Sequence, residues 1–284
     1  MRNGIPASDA DGAPHKLITM TTTTQILALY DAQLRLVVPQ HPPAGQEFQS
    51  DGRVLRVTGQ HRGFIETAQT LNVEGAALDQ LILENRDFFA NRGEAVEWKT
   101  RSHDHPREIP QRLQAAGFIP EDLETVMVGD TKRMAAGAPL PDSVVIRTVN
   151  TSADLERIGR MEATVWDEDF SWLAKDLHEQ MTAAPANTVV FVAEAAGQIV
   201  SAAWITFKDG TDFAGLWGGS TLSEWRGQGI YTALVARRAQ VAHDRGVKYL
   251  QVDASDDSEP ILRRLGFNAL TTTTPYVWTP DPNK

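Results

Sequence analysis

Apolar positions along the chain alternate between a helical and a strand period, and the switches mark out its elements. Over QILALYDAQLRLVV, Ile26, Leu27, Tyr30 and Leu34 fall on one stripe of a helix. Residues 39–52, rich in Pro, Gly and Gln, predict a loop. RVLRVTG and GFIETAQTL then read as two strands joined by the polar QHR turn. Helical spacing returns over 75–92, where Leu78, Leu81, Ile82 and Phe89 share a face and Gly93 supplies the stop. EAVEWKT predicts a strand, PREIPQRLQAAGF a short helix ending at Gly117, and LETVMVG a further strand. The stretch TKRMAAGAPLPDS (131–143), dense in Pro, Gly and Ala, predicts a linker between residues 25–130 and 144–284, with residues 1–24 a disordered tail.

The second half opens with VVIRTV as a strand and SADLERIGRMEATVW as a helix capped by Ser152, followed by a helix over about 171–184. Two strands around an Ala-Gly-Gln turn follow, then the strand DFAGLWGGSTL, a glycine-bearing turn and a long helix stopped by Gly246. VKYLQVDA, SEPILRRLGF and TTPYVW close the chain as strand, short helix and strand. One plan occurs twice. VEWKTRSHDHPREIPQRLQAAGFIPEDLETVMV and YLQVDASDDSEPILRRLGFNALTTTTPYVW both run strand, polar loop, proline near a helix start, arginine-bearing helix, Gly-Phe, strand.

Composition narrows the function classes. A length of 284 residues accommodates two domains. The formal charge of -10 argues against nucleic acid or an anionic membrane as the main partner. With no cysteine there are no disulfides, thiolate nucleophiles or thiolate metal sites, which fits a cytoplasmic protein. No apolar run approaches the ~18 residues that span a bilayer. The first twenty residues lack the apolar core of a secretory signal.

The chemistry concentrates in STLSEWRGQGIYTALVARRA, residues 220–239. The first amides of a helix have no intrahelical partners and sit at the positive end of its dipole, so they suit phosphate. Gly227 and Gly229 let backbone wrap an anion without side chains in the way, and Arg226 adds charge. A plain strand-to-helix turn is the simplest competing reading. A dinucleotide fingerprint would need glycine where Thr232 stands, and a nucleotide P-loop would need Gly-Lys-Ser/Thr.

On these residues, the segment from about 144 to 278 resembles a GNAT N-acetyltransferase domain. That family's acyl-CoA signature is Arg or Gln, two residues, Gly, one residue, Gly or Ala; Arg226, Gly229 and Tyr231 fall on it, and PILRRLGF follows some 30 residues later. The resemblance implies an α/β fold of two GNAT-like domains in tandem. Each would be a mixed, mostly antiparallel sheet flanked by helices, the first truncated and degenerate. It implies acetyl-CoA as co-substrate, held by Thr221, Leu222, Arg226, Gly227, Gln228, Gly229, Ile230, Tyr231 and Thr232, with backbone near Thr221 and Leu222 polarising the thioester. Two positions depart from the family's pattern. Tyr231 replaces a small residue, and Leu262 stands where many members place the tyrosine that protonates the leaving thiolate. Asp253 and Ser255 are then the candidates for proton transfer. Asp167, Glu168 and Asp169 of the acidic WDEDF loop, together with Trp217, are the candidates for contacting a cationic acceptor. The SHDHP loop offers His103, Asp104 and His105, but its two histidines have no third ligand at helical spacing, so no metal is expected. The expected function is acetyl transfer to a small-molecule amine, with no nucleic-acid or membrane partner. The alternative is a non-catalytic acyl-CoA-binding or regulatory protein.

Overall fold

A computed structural model describes residues 22–137 and 139–281. The expected tail lies, over residues 1–21, outside the described residues. Thr22 instead belongs to a helix: it forms a capping box with Gln25 at the start of α1 (Thr23–Leu34). The first half continues with β1 (Glu47–Ser50), β2 (Val54–Thr58), β3 (Gly63–Thr67), α2 (Gly75–Ala90), β4 (Val96–Arg101), α3 (Ile109–Ala115), β5 (Ile119–Pro120), β6 (Glu124–Asp130) and α4 (Thr131–Met134). The second comprises β7 (Val144–Val149), α5 (Ser152–Trp166), α6 (Leu173–Ala183), β8 (Thr188–Ala195), β9 (Gln198–Phe207) and β10 (Phe213–Thr221), then a 3-10 turn, Ser223–Trp225. α7 (Ile230–Asp244), β11 (Tyr249–Ala254), α8 (Glu259–Leu265) and β12 (Asn268–Trp278) complete it.

Three expectations need correction. β1 occupies part of the stretch read as a loop, because its sequence EFQS is a mostly exposed edge strand without apolar alternation. α5 is capped by Thr151, whose side chain accepts from the Asp154 amide, while Ser152 is already helical. The stretch read as a linker begins with α4, which packs on α7 and buries Met134 in the second half's core.

The strands form one sheet in the order β1-β2-β3-β4-β12-β6-β11-β10-β9-β8-β7, with β5 attached to β12. The two copies of the repeated plan have exchanged their last strands. β6, from the first, pairs antiparallel with β11, and β12, from the second, pairs antiparallel with β4. β12 and β6 also pair with each other. Each half thus closes an edge that the other would leave open, satisfying amides and carbonyls that would otherwise face water. Residues 131–143 therefore divide the chain in order but not in space. α1 adds to the interlock, burying Tyr30 and Leu34 against Val126, Val128 and Phe213. Among the described residues no helix is long and apolar enough to cross a membrane.

Candidate functional site

The sheet opens just before the glycine-bearing segment 220–239. β10 and β11 run parallel, but their ladder holds only Phe213–Tyr249, Ala214–Leu250 and Gly215–Gln251. Continued in that register, Trp217 would face Asp253; instead β10 stays with β9 and the strands part. A register shift between Gly218 and Ser220 accompanies the parting, with Gly218 and Gly219 at φ 63° and 96°. Neither glycine has room for a side chain. A β-carbon on Gly218 would lie 2.5 Å from the Trp204 ring, and one on Gly219 2.8 Å from the Tyr231 ring. The bulky Tyr231 is thus accommodated against a glycine of the neighbouring strand. Arg238 of α7, 1% exposed, donates to the carbonyls of Trp204 (3.3 Å) and Trp217 (3.1 Å), holding the shifted strand in place. Burial lowers its pKa to about 10, so it stays cationic at neutral pH.

At the open end lies the glycine turn. Gly227 and Gly229 have φ 73° and 82°, and Gly229 is the N-cap of α7. No side chain caps this helix and its first turn carries no acid, so among the described residues no side chain answers the amides at Ile230, Tyr231 and Thr232. Arg226 donates through Nε to the Thr221 carbonyl (3.0 Å), and among the described residues no carboxylate pairs with it. Gln228 bonds the Glu224 carbonyl at 3.1 Å, bracing the turn. Thr221 and Leu222 are buried, the Thr221 hydroxyl bonding Ser201 at 2.9 Å. The Leu222 amide already donates to Val200 (3.0 Å), so it is not free to polarise a carbonyl. A cavity of about 520 Å³ adjoins the turn, lined by Arg226, Glu224 and Leu222 and by Arg157, Arg160 and Met161 of α5.

The first half keeps a parallel pair, β3 with β4, that also ends after three residues. Its following helix cannot take an anion in the same way. Glu74 is the N-cap of α2, and the Gly75 amide is already held by the Glu108 carboxylate at 2.9 Å.

The remaining expected residues divide. Asp253 lies on the open stretch of β11, but both its oxygens are engaged, one by Lys99 of β4 (2.6 Å) and one by Gln251 (2.7 Å). It ties the halves together. Ser255 sits in the turn before α8, its hydroxyl 3.3 Å from that of Ser258. Leu262 is fully buried in the second core. Asp167 is the left-handed cap of α5 at φ 56°, Glu168 is exposed beside it, and Asp169 accepts from the Ser171 amide and hydroxyl. Trp217 is 52% exposed, its indole bonding the Thr206 hydroxyl at 2.9 Å. In the first half, His103 bonds Asp31 (2.9 Å) and Thr271 (2.8 Å), and Asp104 pairs with Arg35 (2.6 Å). That loop fastens α1 and β12. Among the described residues no His/Asp/Glu group has the arrangement of a metal site.

Sequence reasoning passed over one group. Glu162 of α5 is 2% exposed, and burial pushes its carboxyl up to about 7. The signal was present: Leu155, Ile158, Gly159 and Glu162 follow one helical stripe, which places a glutamate in the buried face.

The site is thus a splayed parallel strand pair in an α/β fold, with an uncapped glycine turn at its mouth. Residues 155–267 match the model of the acetyltransferase (GNAT) family, a match that implies acyl transfer from acyl-CoA. The whole fold is similar to solved GNAT proteins. A GCN5-related N-acetyltransferase from Kribbella flavida aligns with TM-score 0.64 at 16% identity over 93% of this chain and 97% of that one. A tandem GNAT protein from the clavulanic acid biosynthesis pathway aligns with TM-score 0.60 at 14% identity over 93% and 96%. A functionally unknown conserved protein from Staphylococcus epidermidis aligns with TM-score 0.62 at 15% identity over 86% and 96%. No curated protein matches the chain in sequence.

Proposed function

We propose that this protein is an acetyl-CoA-dependent N-acetyltransferase that modifies a small-molecule amine in the cytoplasm. The observation that carries the reading is the parting of β10 from β11 beyond Gly215 and Gln251, in front of a helix whose first amides have no internal acceptor. The donor set suits a pyrophosphate: free backbone N–H groups from 230–232, the Arg226 guanidinium, and Gly227, around whose added β-carbon nothing would lie within 4 Å. Acetyl-CoA would supply the thioester. Beside it, the cationic Arg238 fixes the carbonyls of the shifted strand. The acidic loop at 167–169 adds a field that draws cationic amines.

A second reading, a non-catalytic acyl-CoA-binding protein, is favoured by Leu262, which has no proton to give a leaving thiolate. The test combines a CoA titration by calorimetry with thiol release from acetyl-CoA over a panel of amines and amino acids. Turnover of any amine supports the transferase. One-site CoA binding with no turnover across the panel supports the second reading, and absence of CoA binding overturns both.

A further inference from the structure

The structure buries one carboxylate for which packing supplies no counter-charge. Glu162 extends from α5 toward β10, and its Oε2 accepts from the Trp166 indole at 3.1 Å. The same N–H reaches the Ser220 hydroxyl at 3.0 Å, which sets that hydroxyl beside the carboxylate, where it acts against the rise in its pKa. The other oxygen, Oε1, is buried without a hydrogen-bond partner. A carboxyl in that state is costly to keep for packing alone. Of the elements packed against α5, β10 presents Ser220, while neither β9 nor α6 presents a charged group that acts on the carboxyl. Desolvation therefore goes unopposed by any cation, and the group titrates near 7.

Its surroundings point to a ligand. Trp217 pairs with Trp204 of β9 and Ser220 with Ala202, an even step, so both stand on one face of β10 at its open end. Two of the few large apolar side chains left exposed lie here: Trp217, and Trp166, which is bonded to Ser220, each 52% exposed. Indole faces attract cations, and a carboxylate of near-neutral affinity beside them accepts protons.

We infer that Glu162 is the proton acceptor for the acyl-accepting group, working through the Ser220 hydroxyl, and that the acceptor is a primary amine whose ammonium is held at Trp166 and Trp217. The inference rests on the acyl-transfer reading. One ammonium proton passes to Ser220 Oγ as the Ser220 hydroxyl proton passes to the Glu162 carboxylate. The freed lone pair attacks the thioester carbon, forming the C–N bond and then breaking the C–S bond. A second proton from the nitrogen goes to the leaving sulfur, and Glu162 returns its proton to water.

The test uses the full chain and the variants Glu162→Gln, Glu162→Asp, Ser220→Ala and Trp166→Phe, with CoA affinity as a control. With acetyl-CoA and an amine substrate, kcat/KM of the parent is expected to rise with pH through a midpoint near 7. Glu162→Gln should lower kcat by about 100-fold or more and remove that limb, Ser220→Ala should do so in part, and Glu162→Asp should recover part of the rate. CoA affinity should stay within about twofold of the parent in all four. A second arm needs no turnover. Tryptophan fluorescence of the free protein should titrate near pH 7 in the parent and lose that transition in Glu162→Gln and Trp166→Phe. Benzylamine should quench the parent and bind about tenfold more weakly to Glu162→Gln. A Glu162→Gln variant that keeps both its rate and its pH limb overturns the inference, as does fluorescence that does not titrate near 7. If the parent binds CoA but acylates no amine, the acyl-transfer reading fails. The fluorescence arm then decides alone, upholding an ammonium site at Glu162 or removing it.

Discussion

Alanine substitution at Gly227 and Gly229 separates a turn from an anion site. Both residues are in the left-handed region, at φ 73° and 82°. A β-carbon there costs about 1–2 kcal/mol with or without ligand. For a chain of this size each kcal/mol corresponds to roughly 2–4 °C in Tm, so both variants should melt a few degrees below the parent. They differ in what the new methyl meets. At Gly229 it would lie 3.1 Å from the Pro139 carbonyl oxygen, which must yield slightly; at Gly227 nothing lies within 4 Å. In the free protein Gly227→Ala therefore carries only the conformational cost. If pyrophosphate occupies the space in front of Gly227, the methyl intrudes on it, or the backbone relaxes and misaims its amides. Losing one or two charge-assisted hydrogen bonds, at about 1.5–3 kcal/mol each, lowers CoA affinity by at least tenfold. The assay is calorimetric titration with CoA set beside the apo melting temperature. Two variants that melt lower yet bind CoA as the parent does would reduce the motif to a turn and remove the main support for acyl-CoA binding.

CoA should occupy one site per chain, because Glu108 already fills the anion position at the start of α2; two equal sites by calorimetry would refute this. Residues 140–284 expressed alone should be poorly soluble or melt well below the full chain, since β11 loses β6 and β12 loses β4; a fragment as stable as the whole would contradict the exchanged-strand account. Burial raises the Glu124 carboxyl to about 7, with Lys99 acting against the rise. The folded state therefore binds that proton more tightly than the unfolded chain, and stability falls as pH climbs from the ordinary carboxylate range toward 7. Tm measured against pH should show a shallower decline over this interval in Glu124→Gln, and an unchanged slope would argue against the assignment. Hydrogen bonding to Arg147 chiefly holds Asp154 down at about 2, so its contribution is present above its unfolded pKa and is lost only as pH falls toward 2; Asp154→Asn should remove that acid limb from the same Tm series.

The features that local sequence reveals here are those with local causes. Gly227 and Gly229 adopt the positive φ that only glycine takes without strain, so the turn before α7 was legible from their spacing. The helices were legible from their stripes, and the interior strands from runs such as VLRVT, whose residues are almost all buried. The polar edge strand β1 left no such trace, because a strand exposed on both sides has no burial pattern to display. The repeated plan announced two related halves, but not that β6 would pair with β11 and β12 with β4. A strand's hydrogen bonds are the same whichever edge accepts them, so the partner is chosen by the closure of the whole sheet. The same non-locality reassigned the carboxylates. Asp253 looked free beside the motif until Lys99, 154 positions earlier in the chain, folded against it. Glu162 became a proton-accepting group only when β10 and Trp166 excluded water from it. A side chain's charge is written in the sequence, whereas its desolvation and its neighbours exist only once distant strands have met.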